Sequence, residues 1–222
     1  ENLDASSRKQ IFESLDEDLA ADTLEEIEPE YKSSIIKDLS EAKAVEVLEN
    51  MPNDEIADIL DELDDEEREK ILVNLETEDA EEVKELLKYE NETVGSIMSK
   101  DFISFNLDIT IGEIIDILRE SNPEDEELNS IFIKDEDEKV IGIIELKDLI
   151  LNSANVKAKE VMNENINILK HNESINEAVE IASKYDLMAI PVVDNSDVLI
   201  GVVNTHDLID EVLYPMWKKK NK

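Results

Sequence analysis

Gly142-Ile-Ile-Glu-Leu-Lys-Asp148 and Gly201-Val-Val-Asn-Thr-His-Asp207 follow one pattern: a glycine, two β-branched residues, three mixed residues and an aspartate. They stand 59 residues apart. Upstream of each lies an apolar run that ends in aspartate, Ile131-Phe-Ile-Lys-Asp135 and Ile190-Pro-Val-Val-Asp194, at the same offset. Further upstream the offset becomes 64. Ile97-Met98, Phe102, Phe105, Ile111, Glu113 and Ile115 recur as Val161-Met162, Ile166, Leu169, Ile175, Glu177 and Val179. The five-residue difference falls in an acidic loop of the first copy, around Asn122–Asn129. Many landmarks in one order mark a duplication.

Each copy predicts the same elements. Scattered apolar residues come first, then an amphipathic helix, over 111–119 and 175–184. A strand follows, over 131–134 and 190–193, and after a polar turn a second strand, over 140–144 and 199–203. A short helix closes each copy, over 147–151 and 207–213. Strands alternating with helices imply α/β layers. Twins of this size are expected to pack about a pseudo-twofold axis and to leave clefts between them.

The chain before the duplication repeats on a shorter scale. Apolar triplets recur every twelve residues: Ile11, Phe12, Leu15; then Leu24 and Ile27 with Thr23 as the polar substitute; then Ile35, Ile36, Leu39. The series runs on through Val47, Leu48, Met51, through Ile59, Leu60, Leu63 and through Ile71, Leu72, Leu75, and ends at Val83 and Leu87. Twelve residues hold one helix of about two turns plus a tight turn. Pro29, Ser40, Pro52-Asn53, Asp64-Asp65 and Thr77 punctuate the repeats, so Ser, Asn, Asp and Thr are expected as N-caps. One such helix cannot bury its stripe alone. Stacked copies can, so the sequence predicts a superhelix with an acidic exterior.

Composition limits the function. The 222 residues carry 59 Asp+Glu against 22 Lys+Arg, a net charge of -37. Residues 1–90 hold 32 of the acids and 9 of the bases, so the texture changes near Tyr89–Thr93. Such a charge repels phosphate backbones and argues against nucleic-acid binding. With 41% hydrophobic residues, wholesale disorder is excluded. The absence of cysteine removes disulfides, thiolate metal sites and cysteine catalysis. No run of ~18 apolar residues offers a membrane span. His171 and His206 lie far apart, and neither a phosphate-binding loop nor a serine nucleophile motif occurs, so no enzyme is expected.

The second region resembles a tandem pair of cystathionine-β-synthase (CBS) domains, through the Asp-ended strands and the two Gly…Asp patterns. Tyr89-Glu-Asn-Glu-Thr-Val-Gly-Ser-Ile-Met98, reached from an acidic helical repeat, is similar to the MgtE magnesium-transporter family, as is Lys184-Tyr-Asp-Leu-Met-Ala-Ile-Pro-Val-Val-Asp194. The resemblance implies an all-α superhelical N-terminal domain over 1–90, CBS copies over 91–153 and 154–213, and a tail over 214–222. It implies a cytoplasmic magnesium-sensing regulatory module, dimeric through its CBS faces, that gates a membrane pore lying outside this chain. The alternative is an adenine-nucleotide-binding CBS adaptor in a soluble protein. In the family a long acidic helix follows the second copy. Here Pro215 is expected to disturb a continuing helix.

The resemblance also assigns residues. Asp54, Asp58, Asp186, Asp207 and Asp210 match regulatory Mg2+ positions. Asp54 and Asp58 stand four apart, Asp207 and Asp210 three apart, so each pair shares a helix face. Each is also readable as an ordinary first-turn acid or cap. For an adenine nucleotide, Phe132 would stack on the base, Lys147 would face phosphate and Asp148 the ribose, with Leu187 lining the base pocket. Glu145 stands where such sites carry Ser or Thr, and it repels phosphate.

Overall fold

The computed structural model describes residues 4–123 and 127–220. The chain divides into two compact units between Lys88 and Tyr89.

The first unit holds seven α-helices among the described residues: α1 (Ala5–Phe12), α2 (Glu17–Glu25), α3 (Pro29–Asp38), α4 (Glu41–Leu48), α5 (Asn53–Asp61), α6 (Asp65–Asn74) and α7 (Thr77–Leu86). Each starts twelve residues after the last. Helices pack on the next but one: α1 on α3, α2 on α4, α3 on α5, α4 on α6 and α5 on α7. The triplets face this seam. Leu24, Val47, Leu48, Leu60 and Val83 are wholly buried. Ile11, in α1, is exposed.

The caps differ from expectation. N-cap positions fall at Asp4, Asp16, Glu28, Ser40, Pro52, Asp64 and Glu76. Of these, Asp4, Asp16 and Asp64 accept the amides of Ser7, Leu19 and Glu67. Asn53 and Thr77 lie inside the first turn, where their side chains are past the position that reaches back to free amides. At two helices the cap comes from elsewhere. Glu13 Oε1 accepts the Ser40 amide at 2.9 Å, and Glu49 Oε1 accepts the Glu76 amide at 3.2 Å. These acids are structural, and the Ser40 amide holds the Glu13 carboxyl below its ordinary value.

The second unit holds two three-stranded sheets. In the first, β1 (Ile103–Asn106) runs parallel to β2 (Ile131–Lys134), which runs antiparallel to β3 (Val140–Ile144). In the second, β4 (Leu169–Lys170), β5 (Ala189–Val193) and β6 (Leu199–Asn204) repeat that order. Helices α8 (Ile111–Ser121) and α11 (Ile175–Tyr185) make the crossovers, and α9 (Leu146–Leu151) and α12 (Thr205–Lys220) close the copies. A short α10 (Ala158–Val161) leads into the second copy. Capping boxes start both crossover helices, Thr110 with Glu113 and Ser174 with Glu177. The hydroxyl of Thr110 and the amide of Ser174 hold those two carboxyls below their usual range. The α12 backbone continues through Pro215, contrary to the expected break. A helix already nucleated by two turns propagates cheaply enough to lose one amide.

The copies interlock. Ser99, ahead of β1, bridges Val202 in β6; its equivalent Asn163 bridges Ile143 in β3. Thr93 bridges Ser174, and its equivalent Lys157 bridges Thr110. Lys139 bridges Val198, its own equivalent, which marks the pseudo-twofold axis. Each copy's leading segment is therefore laid on the other copy.

Candidate functional site

The Gly…Asp motifs end each sheet and begin its closing helix, which places an aspartate in the first turn of that helix. In the first copy Asp148 turns back on its own cap: Oδ2 accepts the Glu145 amide at 3.1 Å. Lys147 pairs with Glu145 at 2.6 Å, and this carboxylate lifts the Lys147 ammonium above its ordinary value. The turn is internally satisfied, with the lysine held by the acid that sequence reading had flagged as repelling phosphate.

The second copy is built otherwise. Thr205 donates its hydroxyl to the Leu187 carbonyl, and its amide to the Met188 carbonyl at 2.9 Å. That staple joins the start of α12 to the end of α11. Asp186 is the C-cap of α11, at a left-handed φ of 54°, and is exposed. Asp207 lies two residues beyond Thr205, half-buried, 3.8 Å from His206 Nδ1. Asp186 and Asp207 thus belong to two helix ends fastened together. The side chain of Asp210 lies outside the described residues.

In the helical unit, Asp54 is half-buried in the first turn of α5, and Asp58 is exposed one turn on. Ile56, Ala57, Ile59 and Leu60 bury the opposite side of that helix. Its first turn is crowded by neighbours. Lys32 from α3 meets Glu55 at 2.5 Å, and Asn53 donates to Glu82 from α7 at 3.0 Å. Among the described residues no three His, Asp or Glu side chains converge as a ready metal cage. Pairs of hard carboxylate oxygens still suit Mg2+, which keeps several waters and needs few protein ligands.

Phe132 is buried in β2 among Val140, Ala189, Val193, Leu199 and Val202, residues of both copies. Phe102 meets it edge-on, with ring centroids 6.2 Å apart. The narrow cleft along these rings is lined also by Asp101, Glu127, Ser130, Ala189, Val202 and Asn204. Lys147, Asp148 and Leu187 do not line it. Leu187 is half-buried, with its carbonyl on Thr205. Sequence reading missed Phe102 and Asn204 as partners of Phe132. The signal that would have found them is the laying of each copy's leading segment on the other copy.

Comparisons with known proteins follow the same division. The model of the MgtE intracellular N domain matches residues 1–92, and that of the CBS domain matches 94–155 and 158–214. The magnesium transporter MgtE of Enterococcus faecalis is 30% identical over 130 residues, which cover 59% of this chain and 29% of the relative. The solved cytosolic domain of the Mg2+ channel MgtE in complex with ATP superposes with a TM-score of 0.89 at 26% identity, over 95% of this chain and 86% of that one. The soluble part of a magnesium transporter gives 0.85 at 29% identity, over 95% and 83%. The chain spans less than a third of the length of the curated transporters it matches. No helix among the described residues is long and apolar enough to cross a membrane.

Proposed function

The chain, an MgtE intracellular N domain joined to a CBS pair, belongs to the MgtE family, and on that premise we propose that it is the cytosolic magnesium-sensing module of a magnesium transporter. Raised Mg2+ compacts it, chelation opens it, and closure biases a membrane pore in the larger protein towards the shut state. The observation that carries this reading is the Thr205 staple, which holds Asp186 and Asp207 on adjoining helix ends. Two carboxylates about 4 Å apart repel by ~4 kcal/mol at an effective dielectric near 20, and a divalent ion between them reverses the sign. Asp54, Asp58 and Asp210 are the further ligands in this reading. Their partial, unclosed sets suit weak hydrated binding, and several weak sites together give a steep response.

The module pairs with a second copy through its CBS faces. Ile150, Leu151, Met188 and Ile209 are exposed on α9, α12 and the turn before β5, and Ile150 and Ile209 are equivalent positions of the two copies. The rival reading is a nucleotide-sensing adaptor that uses the Phe102–Phe132 cleft. It is supported by the ATP held by the related cytosolic domain and opposed by Asp101 and Glu127 in the lining.

Small-angle scattering decides between them. Millimolar Mg2+ is expected to lower the radius of gyration, and Asp207→Asn to raise the concentration required. An unchanged radius sinks the sensor reading, and compaction by an adenine nucleotide but not by Mg2+ favours the rival.

A further inference from the structure

The twelve-residue repeat of the helical unit has two exceptions, and both fall beside one groove. The second residue of each helix from α2 to α7 is an acid, Asp18, Glu30, Asp54, Glu66 and Glu78, except in α4, where it is Ala42. Near the helix ends the repeat carries a charge at Glu13, Glu25, Lys37, Glu49, Asp61 and Glu85, except in α6, where Val73 stands. Neither exception serves the repeat. An acid in the first turn favours the helix dipole, and valine is a poorer helix former than glutamate. Val73 is 69% exposed, more than any other large hydrophobic residue described in the helical unit. Helices α4 and α6 pack together, and Asn74 donates to Glu41 Oε1 at 2.9 Å, joining the first turn of α4 to the last turn of α6. The open groove at this junction is lined by Glu41, Ala42, Val45 and Asn74, and Val73 adjoins Asn74 in the chain.

We propose that this groove docks a basic segment of another protein through one aliphatic or aromatic anchor. The anchor packs on Ala42, Val45 and Val73, where the charged residues of the other repeats would have to lose water at a cost. Charge selects the rest of the occupant. Glu46 stands one turn after Ala42 and Glu69 one turn before Val73, and both are exposed. With 32 acids against 9 bases over residues 1–90, the helical unit attracts lysine and arginine and repels an acidic or phosphate-bearing partner. A bare cation gains nothing from valine, so this surface is distinct in kind from the carboxylate pairs assigned to Mg2+.

The test titrates the whole chain, in EDTA, with a short peptide that carries Trp-Leu between lysine pairs. Amide shifts in the NMR spectrum are expected at Ala42, Val45, Val73 and Asn74. A peptide of equal charge with Ser-Ser in the middle is expected to leave them unmoved. The decisive variants restore the repeat. Val73→Glu and Ala42→Glu each add a negative charge, so plain electrostatic attraction would tighten peptide binding. Loss of the apolar contact should instead weaken it about five- to twentyfold. Both positions are exposed and take the residue type of the other repeats, so the fold should hold. Tighter or unchanged binding by the variants, or equal shifts from the Ser-Ser peptide, overturns the proposal. So does self-association without peptide that Val73→Glu abolishes, which would give the groove to a second copy. With metal chelated throughout, the outcome is independent of the sensing proposal.

Discussion

The two units use repetition in opposite ways. In the helical unit each helix leans on the next but one, and the pattern extends without closing. Such arrays are stabilised by a sum of local interfaces. In the CBS unit two copies exchange their leading segments, so neither copy completes its own fold. Met98 of the first copy covers Gly201 of the second, and Met162 of the second covers Gly142 of the first. Open repetition allows local give, whereas reciprocal exchange ties the copies into one cooperative body.

The largest expected effects break this contrast if it is false. Leu60→Ala in α5 and Ile131→Ala in β2 each empty a fully buried site, and each should cost about 2–5 kcal/mol. The distribution of the damage should differ. Native-state hydrogen exchange is expected to show Leu60→Ala loosening mainly α3, α5 and α7, which pack together. Ile131→Ala should loosen both CBS copies equally. Full protection of β6 amides in the Ile131→Ala protein would show that the copies are not one cooperative unit.

A smaller effect sharpens the comparison within the CBS unit. At Gly201 an added Cβ would meet the Met98 sulfur at 2.8 Å and the Ser99 carbonyl at 2.9 Å. At Gly142 the near atoms all belong to the Met162 side chain. Met98 is wholly buried and Met162 only partly, so the second methionine can swing away. Gly201→Ala should therefore cost about 1–3 kcal/mol by overpacking. Gly142→Ala should cost less, as read from denaturation midpoints. The reverse order would mean that the leading segment at Ser99 yields more readily than the Met162 side chain.

Periodicity was readable wherever an element was long enough to show it. The twelve-residue spacing located all seven helices, and the duplication located β2, β3, β5 and β6 within a residue or so. Strands β1 and β4 escaped, because neither forms the continuous apolar run that marked β2 and β5. Their existence depends on parallel pairing with a strand far along the chain. The caps supplied by Glu13 and Glu49 were illegible for the same reason: each serves a helix start 27 residues away. The candidate site divided similarly. That Asp54 and Asp58 share a helix face follows from spacing, but their choice as candidates, like that of Asp207, came from the family resemblance. That Phe132 shares its cleft with Asn204, and that Thr205 binds the chain beside Asp186, depends on contacts no local pattern encodes.

The smallest expected effect concerns a place where the two leading segments differ in kind. Lys159 at 2.7 Å and Lys157 at 2.9 Å both donate to Asp108 Oδ1. Asn172 stands in the position equivalent to Asp108, and Thr93 and Gly95 in those equivalent to the two lysines, so none of the three carries a charge. The two ammonium groups, Lys159 foremost, lower the Asp108 carboxyl from 3.8 to about 2. A carboxyl depressed in the folded state adds stability above its ordinary value and loses it as the pH falls through the folded one. The contribution is thus present at neutral pH and vanishes between about pH 4 and about pH 2. Solvent and salt screen so exposed a contact, so its worth is below that of the buried substitutions. Urea midpoints of the parent and Asp108→Asn should differ by a constant amount from neutral pH to about pH 4, then converge. Convergence at a higher pH would mean that the lysines do not hold the carboxylate. High salt should shrink the gap at every pH, whereas the uncharged leading segment at Gly95, fastened by backbone bonds and the Tyr89–His171 contact, should hardly respond.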